Sequence, residues 1–168
     1  MTLIDGYNLL WAFPELRELM VAGRSELARE GLLRLLARLI RSGRLSAPVT
    51  VVFDGSPAQG VPCGSVPGEL EVRFAPHPSS ADDLIREIVE SSANAAGITV
   101  VSSDREVRSR AARAGASVIR TGEFVESRLP RRPRARGSER PEPPADKPAP
   151  PQGQAEVDRW LREFGLDG

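Results

Sequence analysis

Short β-branched, apolar runs alternate with stretches of helical periodicity through the first 129 residues of this 168-residue chain, which restricts it to folds built on a parallel sheet. Val49-Thr50-Val51-Val52-Phe53, bounded by Pro48 and Asp54-Gly55, predicts a buried strand. Leu3-Ile4 is briefer, but it runs into Asp5-Gly6 and reads as the end of another. Leu70 to Phe74 alternates, as a half-exposed edge strand does, while Ile98 to Val101 and Ser117 to Arg120 supply a fourth and a fifth. Between the strands, residues 26–41 place Leu32, Leu35, Leu36, Leu39 and Ile40 at helical spacing with arginines opposite. Ser79-Ser80-Ala81-Asp82-Asp83 opens a helix that carries Leu84, Ile85, Ile88 and Val89 on one side and ends at Gly97. Asp104 to Ala114 predicts a short helix stopped by Gly115, and Thr121 stands where it would cap a last helix through Leu129. The expected architecture is α/β, with a mainly parallel five-stranded sheet in the order 3-2-1-4-5 and helices on both faces.

After Leu129 the composition changes. Residues 130–154 are rich in Pro and Arg and hold too little apolar surface to fold, so they predict a disordered linker between a domain at 1–129 and a short amphipathic helix at 155–168. In that helix Val157, Trp160, Leu161 and Phe164 share one face. The formal net charge of zero hides an imbalance: residues 1–127 carry 14 Arg against 16 acids, whereas 128–140 hold six arginines opposed only by Glu139. A basic run of that kind suits phosphate or an acidic surface, or is simply a solvated tail.

Scarce residue types exclude several chemistries. Cys63 is the single cysteine, so there is no disulfide framework, thiol pair or cysteine zinc site. His77 is the single histidine, which rules out a histidine-pair ribonuclease. The one lysine, Lys147, falls in the linker, away from any place where a phospho-receiver or aspartyl-phosphate enzyme needs it. No phosphate loop and no strand-borne Gly-x-Gly-x-x-Gly is present. No run approaches the roughly 20 apolar residues that span a bilayer, and the first residues lack a signal-peptide pattern, so a soluble cytoplasmic protein is expected.

The aspartates then become informative. Asp5, Asp54 and Asp104 each follow a predicted strand, and Asp82 and Asp83 open the helix before the fourth. In an open parallel sheet the loops beyond the strand carboxyl ends share one edge, and ligands bind where the strand order reverses. The order 3-2-1-4-5 puts strands one and four at that point, so Asp5, Asp54, Asp82 and Asp104 converge on one crevice. Taken singly, each has a plainer reading: Asp54-Gly55 starts a turn, Asp104 caps a helix, and Ser80 with Asp83 forms a capping box, which favours a structural Asp83 and leaves a ligand role open. Jointly they describe clustered carboxylates whose repulsion a hard cation such as Mg²⁺ or Mn²⁺ removes. Such a cation supports phosphodiester hydrolysis without histidine, cysteine or a covalent intermediate.

Ile4-Asp5-Gly6-Tyr7-Asn8-Leu9-Leu10, Phe53-Asp54-Gly55, Ser80-Ala81-Asp82-Asp83 and Ser102-Ser103-Asp104 follow one another as in the NYN domains, relatives of the PIN nucleases, and resemble their YacP-like branch. The resemblance covers residues 2–129, and the third motif reads Ser-Ala-Asp where that branch has Thr-Ala-Asp. It implies a PIN-like three-layer sandwich and a metal-dependent ribonuclease that acts, as some bacterial members do, on messenger RNA in connection with ribosomes. It also implies that Asp5, Asp82 and Asp104 are the principal metal-site acids, with Asp54 accessory. Asn8 would stand beside Asp5, and Ser103 would support Asp104 or contact phosphate.

An acidic crevice that holds a polyanion needs basic flanks. Arg105 and Arg108 beside Asp104, and Arg73 at the end of the third strand, are candidate phosphate contacts, and Tyr7 is either a base-stacking ring or a rim aromatic. Two alternatives stand beside the ribonuclease: a non-catalytic RNA-binding or ribosome-associated adaptor, which predicts loss of the acids, and a toxin-type PIN nuclease, which the Pro/Arg extension does not favour. Oligomeric state is not legible in the sequence.

Overall fold

The computed structural model describes residues 1–56 and 68–129. Cys63, the Pro/Arg-rich segment 130–154 and the predicted helix at 155–168 lie outside the described residues.

Five strands form one all-parallel sheet: β1 (Thr2–Asp5), β2 (Val49–Asp54), β3 (Leu70–Ala75), β4 (Thr99–Val101) and β5 (Ser117–Ile119), in the order β3-β2-β1-β4-β5. This is the expected topology. The central strand β1 pairs Ile4 with Val51 on one side and with Val101 on the other. The chain builds outward from β1 through β2 to β3, returns by a helix to β4, and continues to β5. The order therefore reverses between β1 and β4.

Alternation along each strand divides the core in two. Ile4, Val51, Phe53, Leu70 and Val101 face α1 (Gly6–Trp11), α2 (Pro14–Val21), α3 (Ser25–Arg41) and Phe124 of α6 (Thr121–Arg128). Leu3, Val52 and Val100 face α4 (Ala81–Glu90) and α5 (Arg105–Arg113) through Ile85, Val89, Val107 and Ala111. With both faces covered, the inner strands become continuous apolar runs, which is why Val49 to Phe53 shows no polar alternation. β3 is a sheet edge, and its Glu71 and Arg73 are exposed between Leu70 and Phe74.

Three features differ from the sequence expectation. Two helices, α1 and α2, occupy the segment between β1 and α3 that carried no prediction; Pro14 at the first turn of α2 and the Leu16, Leu19, Met20 spacing are their signals. The helix from Ala81 stops at Glu90 rather than at Gly97. Beyond it the Ser92 Oγ accepts from the Asn94 N–H and the Asn94 Oδ1 from the Gly97 N–H, so side chains take backbone donors that a longer helix would use. Thr121 does not cap α6. It is the first helical residue, 1% exposed, and its Oγ1 has no partner among the described residues.

Candidate active site

Helix starts follow strand ends at the switch point, and the aspartates sit at those junctions. Asp5 ends β1 and is the N-cap of α1. Its Oδ1 accepts from the Asn8 N–H at 3.1 Å, and its Oδ2 from the Asn8 side-chain amide and from the Ser102 hydroxyl at 3.0 Å. Asp104 caps α5, its Oδ1 accepting from the N–H groups of Glu106 at 2.6 Å and Val107 at 3.0 Å. Asp54 ends β2 and reaches across to α4, where its Oδ1 accepts from the Ala81 N–H at 2.7 Å. Asp82 occupies the first turn of α4, exposed on the crevice.

The electrostatics place these four groups in one field. The Asp82 carboxyl is pushed up from 3.8 to about 6, first by loss of surrounding water and then by the negative charges of Asp5, Asp104, Asp54 and Asp83. Burial raises Asp5 as well, with Asp54 adding to it, while hydrogen bonds from Asn8 and Ser102 pull the other way. Asp5 is 3% exposed, so its carboxylate stays satisfied only through those donors. Asp83 behaves differently. It completes the capping box with Ser80 and pairs with Arg86 at 3.0 Å, and the Ser80 hydrogen bonds, side chain before backbone, lower its pKa. Asp83 thus serves as a capping residue of α4.

Among the described residues no three His, Cys, Asp or Glu side chains stand close enough together to enclose a metal ion. Asp5, Asp54 and Asp104 each lend an oxygen to a helix start. The donor set is nevertheless one a hard cation fits: oxygen only, mutually repulsive, and with Asp82 making no hydrogen bond among the described residues that would hold it back.

Ser102 is the residue that sequence reasoning missed. It is fully buried, and its hydroxyl donates to Asp5 Oδ2 while accepting from the Asp104 N–H at 3.0 Å. The support of Asp104 expected from Ser103 thus comes from its neighbour, and Ser103 is exposed. Strand parity was the available signal: Ser102 continues the Val100 side of β4, its N–H donating to the Ile119 carbonyl. Ser102→Ala removes the hydroxyl that joins Asp5 to Asp104. Loss of these two hydrogen bonds, one buried and one part-buried, should cost about 1–3 kcal/mol in urea melts; a variant with wild-type stability would show that the bridge is idle.

The basic flanks are uneven. Arg105 is exposed in the first turn of α5, and the Arg108 Nε donates to the Asp104 carbonyl at 3.2 Å, so both lie beside the crevice. Arg73 is instead engaged by Glu71 at 2.9 Å, two positions back from the end of β3. A cleft of ≈ 200 Å³ between α4 and α5 opens next to Asp82, but its arginines are also matched, Arg86 with Asp83 and Arg110 with Glu106.

Comparison with known proteins agrees with this architecture. The family model for the YacP-like NYN domain matches residues 2–142. The Bacillus subtilis (strain 168) protein described as "Uncharacterized protein YacP" is 31% identical over 146 residues, covering 83% of this chain and 84% of that one. The crystal structure of Rae1 (YacP) from Bacillus subtilis superposes with a TM-score of 0.60 at 27% identity, over 75% of this chain and 71% of that one. A tryptophan-to-leucine mutant of the same protein gives 0.58 at 28% identity, over 74% and 72%. The fold is PIN-like, the nuclease-type α/β sandwich, and the chain belongs to the YacP-like NYN domain family.

Proposed function

We propose that this protein is a divalent-metal-dependent endoribonuclease that hydrolyses RNA phosphodiester bonds, with messenger RNA or ribosome-associated RNA as its substrate. One observation carries the reading: the Asp82 carboxyl feels the charges of Asp5, Asp54 and Asp104, residues from three separate strand ends. Such a concentration of negative charge works against the fold unless something positive enters it, and PIN-like nuclease domains generally use divalent metals. Asp5, Asp82 and Asp104 would hold Mg²⁺ or Mn²⁺, with Asp54 accessory. The bound cation would supply an acidified water and charge stabilisation for the departing oxygen.

The chain's own groups do the positioning. Asn8 and Ser102 fix both oxygens of Asp5 and so present a carboxylate of defined direction in a buried place. Asp104 is aimed by the first turn of α5, and the start of α4 sets Asp82 at the rim. Exposed Ser103 and Arg105, with Arg108 beside them, would meet substrate phosphate. An adaptor without activity has no use for four acids at the switch point, so catalysis is the stronger reading.

The test is cleavage of a labelled single-stranded RNA with Mn²⁺ or Mg²⁺. Cleavage should appear with either cation and vanish on adding EDTA. RNA binding with no cleavage under any divalent cation would favour the adaptor.

A further inference from the structure

Resting on the ribonuclease reading, we propose that Arg29 is an RNA-phosphate-binding residue on the α3 side of the crevice, held ready by Tyr7 and Phe74. Arg29 lies in the second turn of α3. Its Nη1 donates to the Tyr7 hydroxyl at 3.1 Å, and its guanidinium carbon stands 5.7 Å from the centre of the Phe74 ring. Those are its contacts: no carboxylate among the described residues pairs with it. A guanidinium has five N–H donors, so four are left without a protein acceptor among the described residues.

The position matters as much as the valence. Tyr7 is two residues beyond Asp5, and Phe53 immediately precedes Asp54. Tyr7 packs edge-on to Phe53 with ring centres 5.4 Å apart, and Phe53 stacks on Phe74 at 5.8 Å, across the β2–β3 ladder. This row of rings runs just below the carboxyl ends of β1, β2 and β3, so Arg29 stands at the sheet edge that bears Asp5 and Asp54.

Arg73, Arg86 and Arg110 are matched by acids, and Arg108 leans on its own helix. Arg29 is half-buried and stacked, so it has already lost much of the side-chain freedom that a phosphate contact would otherwise remove. A cation left unpaired beside an acidic crevice is suited to a ligand that brings its own negative charge. Backbone phosphate of single-stranded RNA is that ligand.

The test measures binding of a fluorescein-labelled 12-nucleotide single-stranded RNA to the full chain by anisotropy, in EDTA so that nothing is cut. Arg29→Met keeps the packing stem and removes the charge. It should weaken binding about 5–10-fold at 100 mM salt and reduce the slope of log K against log salt by about 0.7, one single-strand phosphate contact. Arg29→Lys should keep the slope and recover part of the affinity. Unchanged affinity and slope in Arg29→Met, with only its melting temperature altered, would make Arg29 a structural residue and overturn the proposal. The two readings fail separately: a wild type that binds through Arg29 but never cleaves would remove the nuclease and leave this site. A wild type that cleaves, with Arg29→Met unaltered in KM and salt slope, would do the reverse.

Discussion

Asp82→Asn should reduce RNA cleavage by roughly two to three orders of magnitude, the loss that follows removal of one preorganised electrostatic group, while making the metal-free protein more stable at neutral pH. The two effects share a cause. Asp82 is exposed at the crevice and makes no stabilising hydrogen bond among the described residues, yet it carries a charge that Asp5, Asp54 and Asp104 oppose. Its value in the folded protein, about 6, lies above its ordinary 3.8, so the folded state binds the proton more tightly than the unfolded chain. The contribution of this group is therefore favourable when protonated, fully present below the ordinary value and lost as pH rises through about 6. Asparagine imitates the protonated form at every pH. The variant should accordingly match the wild type below the ordinary value of 3.8 and exceed it at pH 8, by about 0.5–1 kcal/mol once solvent screening of an exposed group is allowed for. That is a rise of roughly 2–4 °C in melting temperature. Saturating Mn²⁺ should reverse the order, because the wild type gains a ligand that the variant holds poorly. Equal melting curves at pH 8, or a variant that cleaves normally, would remove Asp82 from the site.

Much of this was legible because strand ends and helix starts are marked by the same residue type. Val49 to Phe53 is too β-branched and too apolar for anything but a covered strand, and Asp54-Gly55 ends it sharply, with Gly55 at a φ of 92°. The Ser80 and Asp83 pair announced the start of α4, and Gly115, at a φ of 93°, the end of α5. The alternation of strands and helices sets the topology, the topology sets the switch point between β1 and β4, and Asp5 stands at the end of one of those strands.

What stayed hidden was local and three-dimensional. Ser102 looks like Ser103 in a sequence, and only the pleat of β4 turns one inward to bridge Asp5 and Asp104 and the other outward. Arg29 sits on a helix whose arginines all read as a solvated face. Its role depends on Tyr7 and Phe74, residues distant in sequence that meet it across the sheet edge. Arg73 shows the opposite: it has the right charge on the right strand, but Glu71, two residues away, pairs with it at 2.9 Å. Charge type is legible in one dimension, whereas whether a charge is spent is not.

The second large effect is a stability effect, expected from Gly6→Ala. Gly6 follows Asp5 directly and begins α1, where alanine would ordinarily improve a helix. Here a Cβ would stand 2.8 Å from Cζ of the Phe53 ring and nearer still to its Cε1 and Cδ1. The ring cannot withdraw. Phe53 is fully buried, with Tyr7 in a T-shaped contact and Phe74 stacked beside it. Overpacking of this kind should cost about 2–3 kcal/mol, or roughly 7–11 °C in melting temperature for a domain of this size. Phe53→Leu alone should also destabilise by opening a cavity, but it vacates the space that the new methyl needs. The double variant should therefore be more stable than the sum of the singles by about 1 kcal/mol or more, a coupling measurable in urea melts. Additivity within about 0.5 kcal/mol would mean that the backbone yields instead of the ring. Because Asp5 is covalently next to Gly6, a backbone that yields would carry the Asp5 carboxylate with it, and cleavage would fall more than stability does. Measured together, stability and rate show whether Gly6 is needed for packing beneath the site or for aiming the acid above it.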